Sequence, residues 1–316
     1  MFSIQISELL RKSLLGLSIG LCFSTAYAEE GGTGHYTPGG MATLIDQPPV
    51  QAGWVIQPIY LHYDGEYSVS KTLPIAGVVS TGLNAKIDAL TLGGLYTFEE
   101  QVFDAYFSVG VYVPYMSMEV EGIVNNRSRT DTVNGIGDIT LIPVMLAWQV
   151  DAWALSAMLP IYVPTGEYEL GELANLGLNY WTFDPTVGAA YSNEKTGLSF
   201  QTYVGITFNT ENDKTHYRSG SVLHAEASVE KLWVAGNGML GMGLNGFIYE
   251  QISGDSGSGA TNGDFKGRSI GIGPVINYIL PAKSGTWVFE AKWLPELNTK
   301  NRLEGDYVWV KAVYQF

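Results

Sequence analysis

The sequence predicts an all-β fold, a transmembrane antiparallel up-and-down β-barrel of about 12 strands with an N-terminal segment in its lumen. Three observations lead there. Apolar and polar side chains alternate with a period of two along most of the chain, as in strands with one apolar and one wetter face. The connections alternate between tight turns and long polar loops. The chain closes on "GDYVWVKAVYQF", an alternating run whose last residue is the aromatic Phe316. Chain ends fray unless neighbours hold them, and a closed barrel supplies a neighbour on each side. Aromatics at 12% and 38 glycines fit the same β-rich class.

Residues 1–28 read as a signal peptide. Arg11 and Lys12 form its basic region, Leu14 to Phe23 is an apolar run, and Ala26-Tyr27-Ala28 is a small-x-small cleavage site. A membrane anchor needs about 20 apolar residues, which this run does not reach. The only cysteine, Cys22, lies inside this segment and follows Leu21, where a lipoprotein box has a small residue. The mature chain from Glu29 therefore carries no disulfide and no thiol chemistry. The net charge of −14 argues against nucleic acid and anionic membrane surfaces as partners. It leaves room for a membrane-spanning barrel, which keeps its charges in loops and lumen.

Residues 29–52 are expected to form a plug-like segment. "GTGHYTPGG" and "LIDQPPVQAGW" contain Pro38, Pro48 and Pro49, which bar regular pairing, and glycines that allow unusual backbone angles. A disordered tail is the plainer alternative. His35, Tyr36, Met41, Leu44 and Ile45 make the segment stickier than a tail, which favours insertion into the lumen.

Residues 53–316 are expected to form the barrel itself. The alternating segments are about 54–64, 85–98, 102–118, 137–149, 153–164, 181–192, 198–208, 221–233, 239–251, 269–280, 286–296 and 305–316. Their lengths lie near the 9–11 residues that a tilted strand needs to cross a bilayer, and an even number lets the first and last strands pair. "FEEQV", "QVDAW", "SNEKTG", "WVAGNG" and "PAKSG" read as tight turns, and about 66–84, 119–136, 165–180, 209–220 and 252–268 as long loops. Outer-membrane barrels sort their connections this way, with the short side in the periplasm. In the third strand Phe103, Ala105, Phe107, Val109, Val111 and Val113 are assigned to lipid, and Asp104, Tyr106, Ser108 and Tyr112 to the lumen. In the fifth, Trp153, Leu155, Ala157, Leu159 and Ile161 oppose Ser156 and Tyr162. Trp153, Trp181, Trp233, Trp287, Tyr191 and Tyr314 sit near strand ends, as aromatic girdles require.

Several stretches occur in an order that resembles a known family: "GTGHYTPGG", "GIGDITLIP", "NLGLNYWTFDPTVGAAY", "GRSIGIGPVINY" and the "EGDYVWV" ending. Together they look like the outer-membrane family named for the meta-cleavage pathway of phenol degradation, over nearly the whole mature chain. The resemblance implies a barrel related to the long-chain fatty-acid channels and associated with breakdown of aromatic or other hydrophobic compounds. It brings no set of catalytic or binding residues. Asp138, Asn179, Asp184 and Arg268 lie in the matching motifs and are read as shaping turns and strand ends.

The lumen and plug candidates are His35, Tyr36, Asp104, His224, Glu226, Glu230, Glu290, Lys292 and Lys311. His224-x-Glu226 with Glu230 could bind a metal or hold a base, since a carboxylate can orient an imidazole. The polar lining of a wet lumen is the stronger account. Glu290, Lys292 and Lys311 read as a lumenal ion-pair network. Asp213, Asp255 and Asp264 are isolated loop carboxylates, weak as cation ligands. No catalytic residue, cofactor or metal is expected. The favoured function is an outer-membrane channel in a Gram-negative bacterium for passive uptake of small hydrophobic or aromatic compounds. Its expected partners are the small hydrophobic molecule, outer-membrane lipid and lipopolysaccharide, and the barrel-assembly machinery that reads the C-terminal strand. A barrel enzyme of the lipase or deacylase type is the alternative. Such an enzyme presents serine and histidine to lipid, whereas His224 is assigned to the lumen. A structural barrel is the third option, and an autotransporter would need a passenger before the barrel.

Overall fold

A computed structural model describes residues 30–260 and 266–316; the proposed signal peptide, Glu29 and Asp264 lie outside the described residues. The strands are β1 (Gly53–Ile75), β2 (Val78–Val102), β3 (Ala105–Val124), β4 (Arg127–Ile136), β5 (Ile139–Val150), β6 (Trp153–Met158), β7 (Ile161–Val163), β8 (Thr182–Phe183), β9 (Thr186–Asn193), β10 (Leu198–Ile206), β11 (Phe208–Asn209), β12 (Val222–Ala235), β13 (Gly238–Gln251), β14 (Arg268–Ala282), β15 (Gly285–Lys300) and β16 (Glu304–Gln315). Four pairs, β4 with β5, β6 with β7, β8 with β9 and β10 with β11, each make one interrupted stave. The wall is therefore a closed antiparallel barrel of 12 staves.

Closure runs through the last strand. Val55 stands opposite Gln315 and Glu66 opposite Glu304. At the rim Trp54 N donates to Phe316 O at 2.8 Å, and Phe316 N returns a bond to Trp54 O at 3.0 Å. No edge strand remains along the membrane-spanning wall, which is what a sheet in lipid needs. Outward rings gather at the short-turn rim. Trp153 meets Tyr191 at 5.0 Å, Trp287 meets Tyr314 at 4.5 Å, and Phe316 stacks on Tyr314 at 5.1 Å.

Two expected loops are strands. β1 and β2 continue past the membrane to a turn at Ala76-Gly77, and β3 and β4 to one at Asn125-Asn126. Alternation persists through both stretches, and the two asparagines adopt φ of 51° and 61°, which Asn tolerates better than most residues. The first tight turn also moves. "FEEQV" belongs to β2, where the register shifts between Thr97 and Gln101. The turn falls on Phe103 and Asp104, both at positive φ. Asp104 is therefore exposed at the short-turn rim and not a lumen residue, and Phe103 is 83% exposed in the same turn. Past the turn, Ala105 is buried, Ser108 bonds Thr97 and Tyr112 lines the lumen, while Val111 faces out.

Four neighbouring staves break in turn along the wall, at residues 137–138, 159–160, 184–185 and 207. Pro160 and Pro185 have no N–H to give the ladder. Substitute bonds keep the wall continuous: Gly137 N to Pro114 O at 3.0 Å, Asp184 N to Pro160 O at 2.9 Å and Thr207 N to Val222 O at 2.8 Å. The breaks also bring Asp138 and Asp184 to the lumen, where each meets a histidine.

The rim bonding predicts how Phe316→Lys behaves. A lipid-facing lysine costs about 2–4 kcal/mol at mid-bilayer and far less near the interface, where Phe316 lies. The backbone pairing to Trp54 does not depend on the side chain. The variant should lose yield of heat-modifiable barrel in cells while the assembled fraction keeps near-normal stability. Normal insertion would contradict this.

Candidate functional site

Residues 30–52 run through the lumen along one wall, and the side chains that meet them explain why. The segment threads the barrel from the short-turn end, where it joins β1, to the long-loop end. There Glu30 lies beside Tyr168, Asn212 and Thr215. It has almost no regular structure, only two short 3-10 turns at Glu30–Gly32 and Leu44–Asp46. Its main-chain groups must therefore find partners on the wall.

The wall of β12 to β16 supplies them. Glu226 Oε1 accepts from the Tyr36 hydroxyl at 2.7 Å and from Gly39 N at 3.1 Å, and Oε2 accepts from Met41 N at 3.3 Å. Glu230 Oε1 accepts from Leu44 N at 2.9 Å, while Asn277 steadies its other oxygen at 2.6 Å. The Thr43 hydroxyl donates to Glu290. Lys311 Nζ donates to Gly40 O at 2.7 Å and lies 3.0 Å from Asp46 Oδ1. It is also 3.6 Å from Glu290, whose other cation is Lys292 at 3.5 Å. Trp309 Nε1 donates to Pro38 O at 3.2 Å. At Gly39, with φ of 83°, a Cβ would lie 2.4 Å from Leu294 and 2.7 Å from Trp309, so only glycine lets the chain pass.

Two histidines, His35 in the segment's outer half and His224 on β12, meet the carboxylates at two of the stave breaks. His35 Nε2 lies 2.9 Å from Asp138 and Nδ1 2.7 Å from Thr182, and the ring stacks on Tyr162 at 5.0 Å. Asp138 also accepts from Gly166 N and Leu178 N, both at 2.8 Å, so one carboxylate ties the segment to the loop between β7 and β8. His224 Nε2 lies 2.7 Å from Asp184, both fully buried, and Tyr36 stacks on the imidazole at 3.8 Å. His224 is thus engaged by Asp184, and Glu226 by the inserted segment. Among the described residues no three His, Cys, Asp or Glu side chains are arranged to hold a metal.

The opposite wall is of another kind. β1, β2, β3 and β5 turn Ile59, Leu61, Ile87, Met116, Met118 and Ile142 into the space beside the segment. Between them lies a cavity of about 760 Å³. Its lining reaches from Gln51 and Gln315 at the short-turn end to Ala76 and Leu173 at the long-loop end. Sequence reasoning singled out most of the polar wall but missed Asp46, Thr43, Asn245 and Asn277. Thr43 and Asp46 form a Thr-x-x-Asp capping box, a local signal that could have found them. No local pattern marks Asn245, which donates to Ala42 O at 3.4 Å, or Asn277, whose partner Glu230 lies far away in the chain. It named Asp138 and Asp184 only as shapers of turns. Asp213 accepts from Asn179, and Asp255 accepts from Tyr217 and Gly220, so both brace loops.

A closed wall with outward rings and a segment held inside defines a transmembrane barrel with an inserted N-terminal segment. The chain belongs to the family described as "Putative MetA-pathway of phenol degradation", whose model matches residues 65–312. Among solved structures, an outer-membrane channel of Pseudomonas putida F1 is similar at 16% identity and a TM-score of 0.68, over 87% of this chain and all of that one. The β domain of the Bordetella autotransporter BrkA is similar at 7% identity and a TM-score of 0.51, over 84% of this chain and all of that one. No curated protein matches the sequence.

Two outcomes follow from this geometry. Lys311→Met leaves Asp46 without its cation and Gly40 O without its donor, and breaking a buried pair costs about 3–5 kcal/mol. The segment should loosen, and chymotrypsin should cut after Tyr36, which is 3% exposed in the docked segment. Continued resistance would contradict the assigned role. Glu30 is different, because burial among neutral partners raises its carboxyl above the ordinary range. Its contribution is fully present below that range and is lost as pH rises through the raised value. A cysteine at Thr33 should therefore react faster with a maleimide as pH rises, measured against an exposed cysteine at Asp104. Glu30→Gln should flatten that dependence.

Proposed function

We propose that this protein is an outer-membrane channel of a Gram-negative bacterium for passive uptake of small hydrophobic compounds, aromatic ones among them. The observation that carries the reading is the cavity of about 760 Å³ beside the segment, walled on one side by aliphatic and methionine side chains. Ligand sites of that size that are mainly apolar bind apolar molecules, and methionines adapt their shape to varied guests. The family's description, which names phenol degradation, and the likeness to a protein described as an outer-membrane channel support the same reading. Residues 30–52 act in it as the selectivity element. They fill the polar half of a lumen wider than barrel side chains alone would close. Outer-membrane lipid and lipopolysaccharide surround the wall, and the barrel-assembly machinery reads the strand that ends at Phe316.

Removing residues 30–51 while keeping the leader and Glu29 tests this. The exposed carboxylates and lysines of β12, β15 and β16 would then be hydrated, so the barrel should still fold. In a liposome-swelling assay the shortened protein should pass small hydrophilic sugars several-fold faster than the intact chain. Equal sugar permeability from a normally inserted barrel would reduce the segment to a tail.

A further inference from the structure

We propose that the path beside the inserted segment admits uncharged compounds and rejects carboxylates, because the segment takes Lys292 and Lys311 out of the path. The proposal rests on the uptake reading above and narrows its substrate class. Both lysines point into the barrel, yet their side chains have no exposed surface. Neither lines the cavity, and the same holds for Glu226, Glu230 and Glu290. Gly40 O, Asp46 and Glu290 surround one ammonium, and Met41 O and Glu290 the other.

The charged side chains that do line the cavity are Glu30, Asp46, Asp138 and Arg302, three carboxylates against one guanidinium. Arg302 lies with its guanidinium 3.7 Å over the Tyr249 ring, near the long-loop end. Asp138 is met by His35 and by two loop amides, and Asp46 by Lys311. From Arg302 inward, an anionic guest would leave water for an aliphatic wall with carboxylates opposite. It would lose hydration and find no cation to replace it in a medium that screens poorly. A neutral guest of the same shape does not meet that penalty.

The test compares 4-bromobenzyl alcohol with 4-bromobenzoate on the full-length protein in zwitterionic nanodiscs at neutral pH. Heavy-atom quenching of tryptophan reports occupancy, since Trp309 lines the cavity. Only quenching lost in Ala89→Phe, which fills the cavity from β2, is counted, and that subtraction removes ligand dissolved in lipid. The alcohol should bind tenfold or more tightly than the carboxylate. Asp46→Ala, which uncovers Lys311, should narrow that ratio. Equal or tighter carboxylate binding would overturn this proposal and leave the uptake reading standing. If Ala89→Phe removes no signal for either compound, both are overturned.

Discussion

The ammonium of Lys311 is the constraint on which the lumen depends. Its strand, β16, closes the barrel against β1, so the residue lies in the seam that holds the wall together. Its side chain has no exposed surface. An unpaired ion in such a place costs several kcal/mol even after the protein relaxes. Lys311 meets three partners, and two of them, Gly40 O and Asp46, belong to the inserted segment. Wall and segment are thus parts of one charge arrangement. Glu226 and Glu230 extend it by accepting main-chain N–H groups, which lets a segment with prolines and glycines dock without forming a strand.

This division of labour leaves the other half of the lumen free. The side chains of β1, β2, β3 and β5 that line the cavity are mostly apolar and need no partner. The space beside the segment persists because rings lie flat on the wall. A Cβ at Gly93 would sit 2.2 Å from the Tyr112 ring, and one at Gly188 would sit 2.4 Å from that of Tyr203. Glycine on one strand thus holds an aromatic of the next strand against the sheet, where it does not cross the path. Width is set by these glycines, and polarity by which wall faces the segment.

Much of the fold was legible because period-two alternation and turn chemistry are local. Each of the twelve expected segments has its stave. What escaped was decided by features a two-state strand pattern hides. The Asn125-Asn126 turn sits inside a stretch read as a polar loop, and the shift near Thr97 moved Asp104 from a face to a rim. The inward faces of β12, β15 and β16 were readable from alternation alone. Their partners were not, since Thr43 and Glu290 stand 247 residues apart in the chain. His224 illustrates the limit. Alternation placed it inside, but only the break at Asp184-Pro185 shows which acceptor it meets.

Residues 36–46 are held by the polar wall rather than lying loosely in the lumen. Hydrogen–deuterium exchange of the intact protein in nanodiscs, resolved to the amides of Gly39, Met41 and Leu44, tests it most directly. The account predicts protection of these amides approaching that of the barrel strands, since each donates to a buried carboxylate. Exchange at the rate of a free peptide would contradict it.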